Sequence, residues 1–172
     1  MTEVQTFAWP TPLVPGPQTL ALARFHRDVT WTGTVKATPQ TPEMTAKGRG
    51  TFRWSSDGLW VIGEFAQDQF HQGRKVTNWS AHYVAGYDYS RRAYVAFACD
   101  SNGRAVPFTG LVDGDTFTIT SDGATIAGAP VRLRMIWEAS NPQALRWRNE
   151  MSITDGPWTL IEEYDMLPDG VA

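Results

Sequence analysis

The sequence predicts an all-β fold: an antiparallel up-and-down β-barrel of about ten strands with one short N-terminal helix. Three observations predict it. Between His82 and Ile119, runs of β-branched and aromatic residues are cut by Asp88–Arg92, Ser101–Arg104 and Asp113–Gly114, groups of residues that turn a chain. None of these cuts can hold the crossover helix that parallel strands need, so neighbouring strands run antiparallel. Period-two alternation recurs on both sides of this meander, and the connections stay short, whereas a Greek-key sandwich needs a long return. A barrel of about eight to ten strands has an interior wide enough for one small ligand.

Residues 1–16 carry Pro10, Pro12 and Pro15 among few charges and read as an extended arm that Phe7 and Trp9 can anchor. Pro17 suits a first helical position, and Leu22, Phe25, Arg24 and Arg27 complete a helix over 17–27, too short to stand without packing and placed to plug one end of a barrel. Alternation starts at Val29, with Val29, Trp31, Gly33 and Val35 on one face. After the Pro39–Pro42 loop it resumes with Ala46, Gly48, Gly50, Phe52 and Trp54 facing in, the two glycines leaving room or bending the strand. Ser56-Asp57-Gly58 and Gln72-Gly73-Arg74 then bound two strands, near 59–66 and 75–86, whose composition does not declare an inner face. Later strands are clearer: Phe117 and Ile119; Val131, Leu133, Met135 and Trp137; Leu145, Trp147, Asn149 and Met151; and Trp158, Leu160, Glu162 and Tyr164 each share one face. The barrel domain is expected to occupy 17–167, with 168–172 as a tail.

The whole chain, 172 residues with a formal charge of −3, fits one domain and lacks the clustered Lys and Arg that a nucleic-acid partner requires. The single cysteine, Cys99, excludes an intramolecular disulfide and fits a reducing compartment. No export signal is visible at the N-terminus and no run approaches the roughly 18 apolar residues of a membrane span, so a cytoplasmic location without membrane contact is expected. Eight tryptophans, five tyrosines and eight phenylalanines suit both a core and a pocket wall. Dimerisation through an open edge or the arm is a further expectation.

The order of WTGTVKA, GLWVIGEF, HYVAGYD, FACDSNGR, LVDGDTFTI and WTLIEEYDM, over roughly residues 20–166, resembles a bacterial family of uncharacterised proteins with a lipocalin-like, or calycin-like, barrel. The resemblance implies an apolar cavity and no agreed activity. Some related barrels hold haem through a histidine in the C-terminal part. The histidines here are His26, His71 and His82, which counts against haem, and no cofactor is expected. Other barrels of this kind act as cofactor-free cyclases or isomerases, an analogy of fold alone.

Polar residues in apolar phase supply the candidate site. If Trp147 and Tyr164 face in, so do Asn149 and Glu162, and a buried carboxylate needs a partner, a proton or water. Glu162 is therefore either a satisfied structural acid or a ligand-contacting or catalytic group. His82 shares a face with Asn78 and Ser80. That face is a polar track inside the barrel if Val76 and Val84 point in, and a solvated surface if Trp79, Ala81 and Tyr83 do. Glu64 is a weaker third acid, Cys99 reads as packing, Asp88, Asp100 and Asp113 read as turn formers, and no metal cluster is expected. The expected function is binding of a small, mainly hydrophobic molecule in the interior. Trp31, Phe52, Trp54, Trp137, Trp147, Trp158 and Tyr164 would form the walls, and Asn78, His82, Asn149 and Glu162 would orient the ligand. A side-chain-filled axis with no hollow of roughly 300 Å³ would remove its basis. The alternative is a cofactor-independent isomerase or cyclase acting on a hydrophobic natural-product intermediate, with Glu162 and His82 as acid and base, which requires both within reach of one ligand.

Overall fold

The computed structural model describes residues 11–38, 41–121, 123–126 and 128–169. The outer part of the expected arm, with Phe7 and Trp9, and residues 170–172 of the expected tail lie outside them. A helix α1 (Pro17–Ala21) passes directly into a 3₁₀ turn (Leu22–Phe25), so the predicted helix is present but stops short of Arg27. Eleven strands follow: β1 (Val29–Val35), β2 (Met44–Trp54), β3 (Trp60–His71), β4 (Arg74–Asp88), β5 (Ala93–Asp100), β6 (Ala105–Asp113), β7 (Thr116–Ser121), β8 (Ala124–Ile126), β9 (Ala129–Glu138), β10 (Leu145–Ile153) and β11 (Thr159–Pro168). All pairings are antiparallel. From β1 to β7 each strand pairs with the next, β7 pairs with β9, β9 with β10, β10 with β11, and β11 with β1. This is a closed ten-stranded barrel, and the short β8 is an extra strand laid on β9.

The alternation in β1 and β2 holds as the sequence predicts: Val29, Trp31, Val35 and Ala46 are buried and face in. Glycine is required beneath two of the rings. A Cβ on Gly33 would stand 2.3 Å from the Tyr164 ring, and one on Gly48 would stand 2.3 Å from the Trp31 indole. The two strands of undeclared face now have one. Val61, Gly63, Gln67 and Gln69 point inward from β3, and Ala81, Tyr83 and Ala85 from β4, while Glu64, Asn78, His82 and Val84 are exposed. The inward reading of Asn78 and His82 is thereby corrected: the register that buries Tyr83 turns both to solvent, since one residue of phase exchanges the faces.

Trp158 is the second correction. Asn149 pairs with Glu162, but the next residue, Glu150, pairs with Leu160, leaving Ile161 as an extra residue on β11. Such a bulge shifts the alternation by one. Ile161 packs on the core instead, and the Trp158 ring lies on the outer wall, its centroid 4.2 Å from the Arg134 guanidinium carbon and 5.6 Å from that of Arg132.

The helix closes one end of the barrel, as the sequence suggests. Leu22 and Phe25 are fully buried. Polar ties hold the plug to the hairpins around that rim. The Gly16 N–H donates to Tyr89 Oη at 2.7 Å, the Tyr94 hydroxyl donates to the Gln18 carbonyl at 3.1 Å, and Arg24 pairs with Asp115. The opposite rim, formed by the turns at Gln72–Gly73, Ser101–Gly103 and Thr154–Gly156, has no such plug among the described residues.

Candidate functional site

The interior divides into two halves of different chemistry. On the helix side it is aromatic and dry. Phe25, Phe117, Ile119, Trp137 and Leu145 retain 1% exposure or less, and the Phe117 and Trp137 rings stand against His26, the residue that follows the plug's 3₁₀ turn. The His26 ring lies 5.3 Å from Phe52, 5.6 Å from Tyr83 and 5.7 Å from Phe117. Its Nδ1–H donates to the Leu22 carbonyl at 2.8 Å, and Nε2 accepts from the Tyr83 hydroxyl at 3.3 Å, which is the arrangement of a neutral imidazole. Burial among these rings pushes its pKa down to about 4, against a smaller opposing effect of the Leu22 carbonyl. Phe52 and Trp137 thus belong to a filled core, and Trp54 packs on the same core cluster at the helix-side end of β2.

The distal half differs. Trp31, Trp147 and Tyr164 form a continuous stack, with Tyr164 5.1 Å from Trp147 at an interplanar angle of 12° and 5.9 Å from Trp31 at 20°. The Trp31 indole N–H donates to Gln67 Oε1 at 2.9 Å. Indole nitrogen can only donate, so this bond fixes the Gln67 amide with Nε2 as its free end. Beside the stack, Asn149 and Glu162 stand directly across from each other on β10 and β11. Glu163, the adjacent residue, pairs with Arg146 outside the wall, so the phase that puts Glu162 inside is unambiguous.

Burial pushes the Glu162 carboxyl above the usual carboxylate range, and Asn149, Tyr164 and Gln67, with Arg104 farther off, only partly oppose it. Tyr164 is raised too, by burial first and then by the charge of Glu162. Gln67 and Tyr164 reach Glu162 without closing a bond of good geometry, and Gln67 Nε2, Trp147 Nε1, Asn149 Oδ1 and Tyr164 Oη are buried with no partner in hydrogen-bond geometry. Native interiors rarely leave such groups alone, and four in one place mark a spot where water or a ligand belongs. Met135, Asn149, Met151 and Glu162 all face inward and are half-buried, whereas Phe117, Ile119, Trp137 and Leu145 on the helix side are inaccessible.

At the distal rim the Trp79 indole N–H and the Arg104 guanidinium both donate to Asp100 Oδ2, at 3.2 Å and 2.8 Å. Burial acts to raise the Asp100 carboxyl, but these bonds and the Arg104 backbone N–H outweigh it and hold the group below the usual range. Asp100 is therefore more than a turn former, because it fastens Arg104 at the mouth. Clefts on the outer wall are modest: about 250 Å³ between Arg49, Thr51, Glu64, Ser80 and His82, and about 160 Å³ between Thr32, Lys36, Arg146, Glu163 and Asp165.

The structure thus brings five of the predicted residues together: Trp31, Trp147, Asn149, Glu162 and Tyr164. It seats Phe52, Trp54 and Trp137 in or against the packed half and puts Asn78, His82 and Trp158 outside. Sequence reasoning missed Gln67, whose QDQ setting looks solvated until Phe65 is placed inward two residues earlier. It also missed His26 as the centre of the core. Among the described residues no group of three or more His, Cys, Asp or Glu side chains is arranged to hold a metal ion.

The model of a family described as protein of unknown function (DUF1579) matches residues 15–166. The chain belongs to this family. Among solved structures, the DUF1579 barrel described here is similar to the crystal structure of Rv2717c from M. tuberculosis, with 12% identity, a TM-score of 0.59, and coverage of 90% of this chain and 98% of that one. At that identity the likeness establishes the fold alone. No curated protein matches the chain. No helix among the described residues is long and apolar enough to cross a membrane.

Proposed function

We propose that the barrel binds a small, mainly hydrophobic molecule whose polar end enters the distal half of the interior. The observation that carries this reading is the ring of buried, unpartnered polar atoms, Gln67 Nε2, Trp147 Nε1, Asn149 Oδ1 and Tyr164 Oη, around one desolvated carboxyl. A core built only for stability would pair such atoms or replace them, since each unpaired group costs about 1–3 kcal/mol. The setting also fits a ligand site in composition: aromatic walls, apolar Met135 and Met151, and a few convergent polar groups. The rival reading as a cofactor-free enzyme loses its acid–base pair, because Glu162 faces the interior and His82 the solvent.

Tryptophan fluorescence tests the reading directly, with Trp31 and Trp147 as built-in reporters. Titration with a panel of apolar compounds is expected to give saturable emission changes and a raised melting temperature; a ligand at about 100 times its Kd adds about 2.7 kcal/mol. Unchanged emission and melting across the panel would overturn it.

A further inference from the structure

We propose that the molecule held in the distal half carries a protonated nitrogen, an amine-type head seated between the Glu162 carboxylate and the Trp31–Tyr164–Trp147 stack. The inference rests on the binding reading above and deepens it by naming the head group.

The argument is one of charge and donor balance. The donors nearest Glu162, on Asn149, Tyr164 and Gln67, are neutral. Arg104, the cation whose field reaches it, is engaged by Asp100 through both Nε and a terminal nitrogen. Among the described residues this carboxyl has dipoles around it and only Arg104, already shared with Asp100, as a counter-charge, an arrangement that burial makes costly. An ammonium supplies an unshared counter-charge, and its remaining N–H finds Asn149 Oδ1, the unpartnered acceptor in the group. An anionic head would meet a second carboxyl at close range.

The walls are compatible with such a head. Tyr164, two residues along β11 from Glu162, is stacked between Trp147 and Trp31, so the stack supplies an apolar wall on the same inner face as the carboxyl. Trp147 Nε1 is left to donate to a neutral oxygen of the ligand or to a water. The apolar body then lies against Met135 and Met151, which face inward with surface still open.

The test uses three probes of one chain length, decylammonium, decanol and decanoate, below their micellar concentrations at neutral pH, read by calorimetry and by tryptophan emission. Decylammonium is expected to bind at least about tenfold more tightly than decanol, with decanoate weakest. Glu162→Gln, of equal size, is expected to reduce the ammonium-over-alcohol preference to below about threefold, and the outer-wall variant His82→Ala to leave the order intact. Decanoate binding as well as decylammonium, or a preference that survives Glu162→Gln, would overturn the head-group inference while leaving the binding reading in place. Failure of all three probes to bind would instead remove the binding reading, and this inference with it. The wild-type series is decisive even if the variant folds poorly.

Discussion

The two halves of this barrel use the same strands for opposite ends. On the helix side, β7, β9 and β10 contribute Phe117, Ile119, Trp137 and Leu145, all essentially inaccessible, and the imidazole of His26 that meets them is neutral with both ring nitrogens bonded. Two to six residues farther along the same strands, Met135, Asn149 and Met151 keep accessible surface and polar atoms lose their partners. The difference lies in the plug: a helix enters one rim and buries the rings there, and among the described residues nothing equivalent enters the other. Fully buried rings gather in one half and unpartnered polar atoms in the other, within a single continuous sheet.

The sharpest way to break that contrast is to truncate one large side chain in each half. Trp137→Ala is expected to cost about 3–5 kcal/mol in denaturant unfolding, because the packed side cannot collapse around the void. Met135→Ala, at a side chain that is only half-buried, is expected to cost clearly less than the usual 2–5 kcal/mol for such a change. Equal losses would mean that the distal half is packed as tightly as the other.

Acid separates the halves by sign. His26 has a folded-state pKa of about 4, below its unfolded value near 6.5, so the unfolded chain binds the extra proton between these values and the stability contribution, complete above about pH 6.5, is lost as pH falls toward 4. The loss by pH 4 is about 3 kcal/mol, and His26→Gln should flatten that part of the curve of unfolding free energy against pH. Glu162 works in reverse. Its folded pKa lies above the unfolded value, so its contribution falls as pH rises above about 4.5. Glu162→Gln is accordingly expected to raise the melting temperature at pH 7. A lower melting temperature for this variant would show that Glu162 is a satisfied structural acid. Smallest of all, His82→Ala and Asn78→Ala should change stability by no more than about 0.5 kcal/mol, as exposed outer-wall positions do.

How much of this was legible in the sequence follows from where alternation is clean. In β1, β2, β9 and most of β10 apolar residues alternate with threonine, lysine and arginine, so composition alone gives the face. In β3 and β4 it does not, because the outer wall carries Ile62, Val84 and, on β5, Phe97, while the inner wall carries Gln67 and Gln69. Polar-inside and apolar-outside is the reversal that hides a strand's phase, and here it coincides with one side of the candidate site. Trp158 was misplaced for a different reason: alternation extrapolated through WTLIEEY has no means of detecting the extra residue at Ile161, which exists only relative to the partner strand. The family, the barrel and the inward Glu162 were readable; the division of the interior required the register.

Because β11 lies beside β1, with the Asp169 N–H bonded to the Asp28 carbonyl at 3.0 Å, the first and last strands are neighbours in an unbroken hoop. Topologically, the order of synthesis leaves no mark on the wall. A rearranged gene that tethers Asp169 to Thr11 and starts translation in the exposed Gln72–Gly73 turn would keep every ladder and both ends of the lumen, so the position of the chain's ends is a detail of genetics that the architecture does not need.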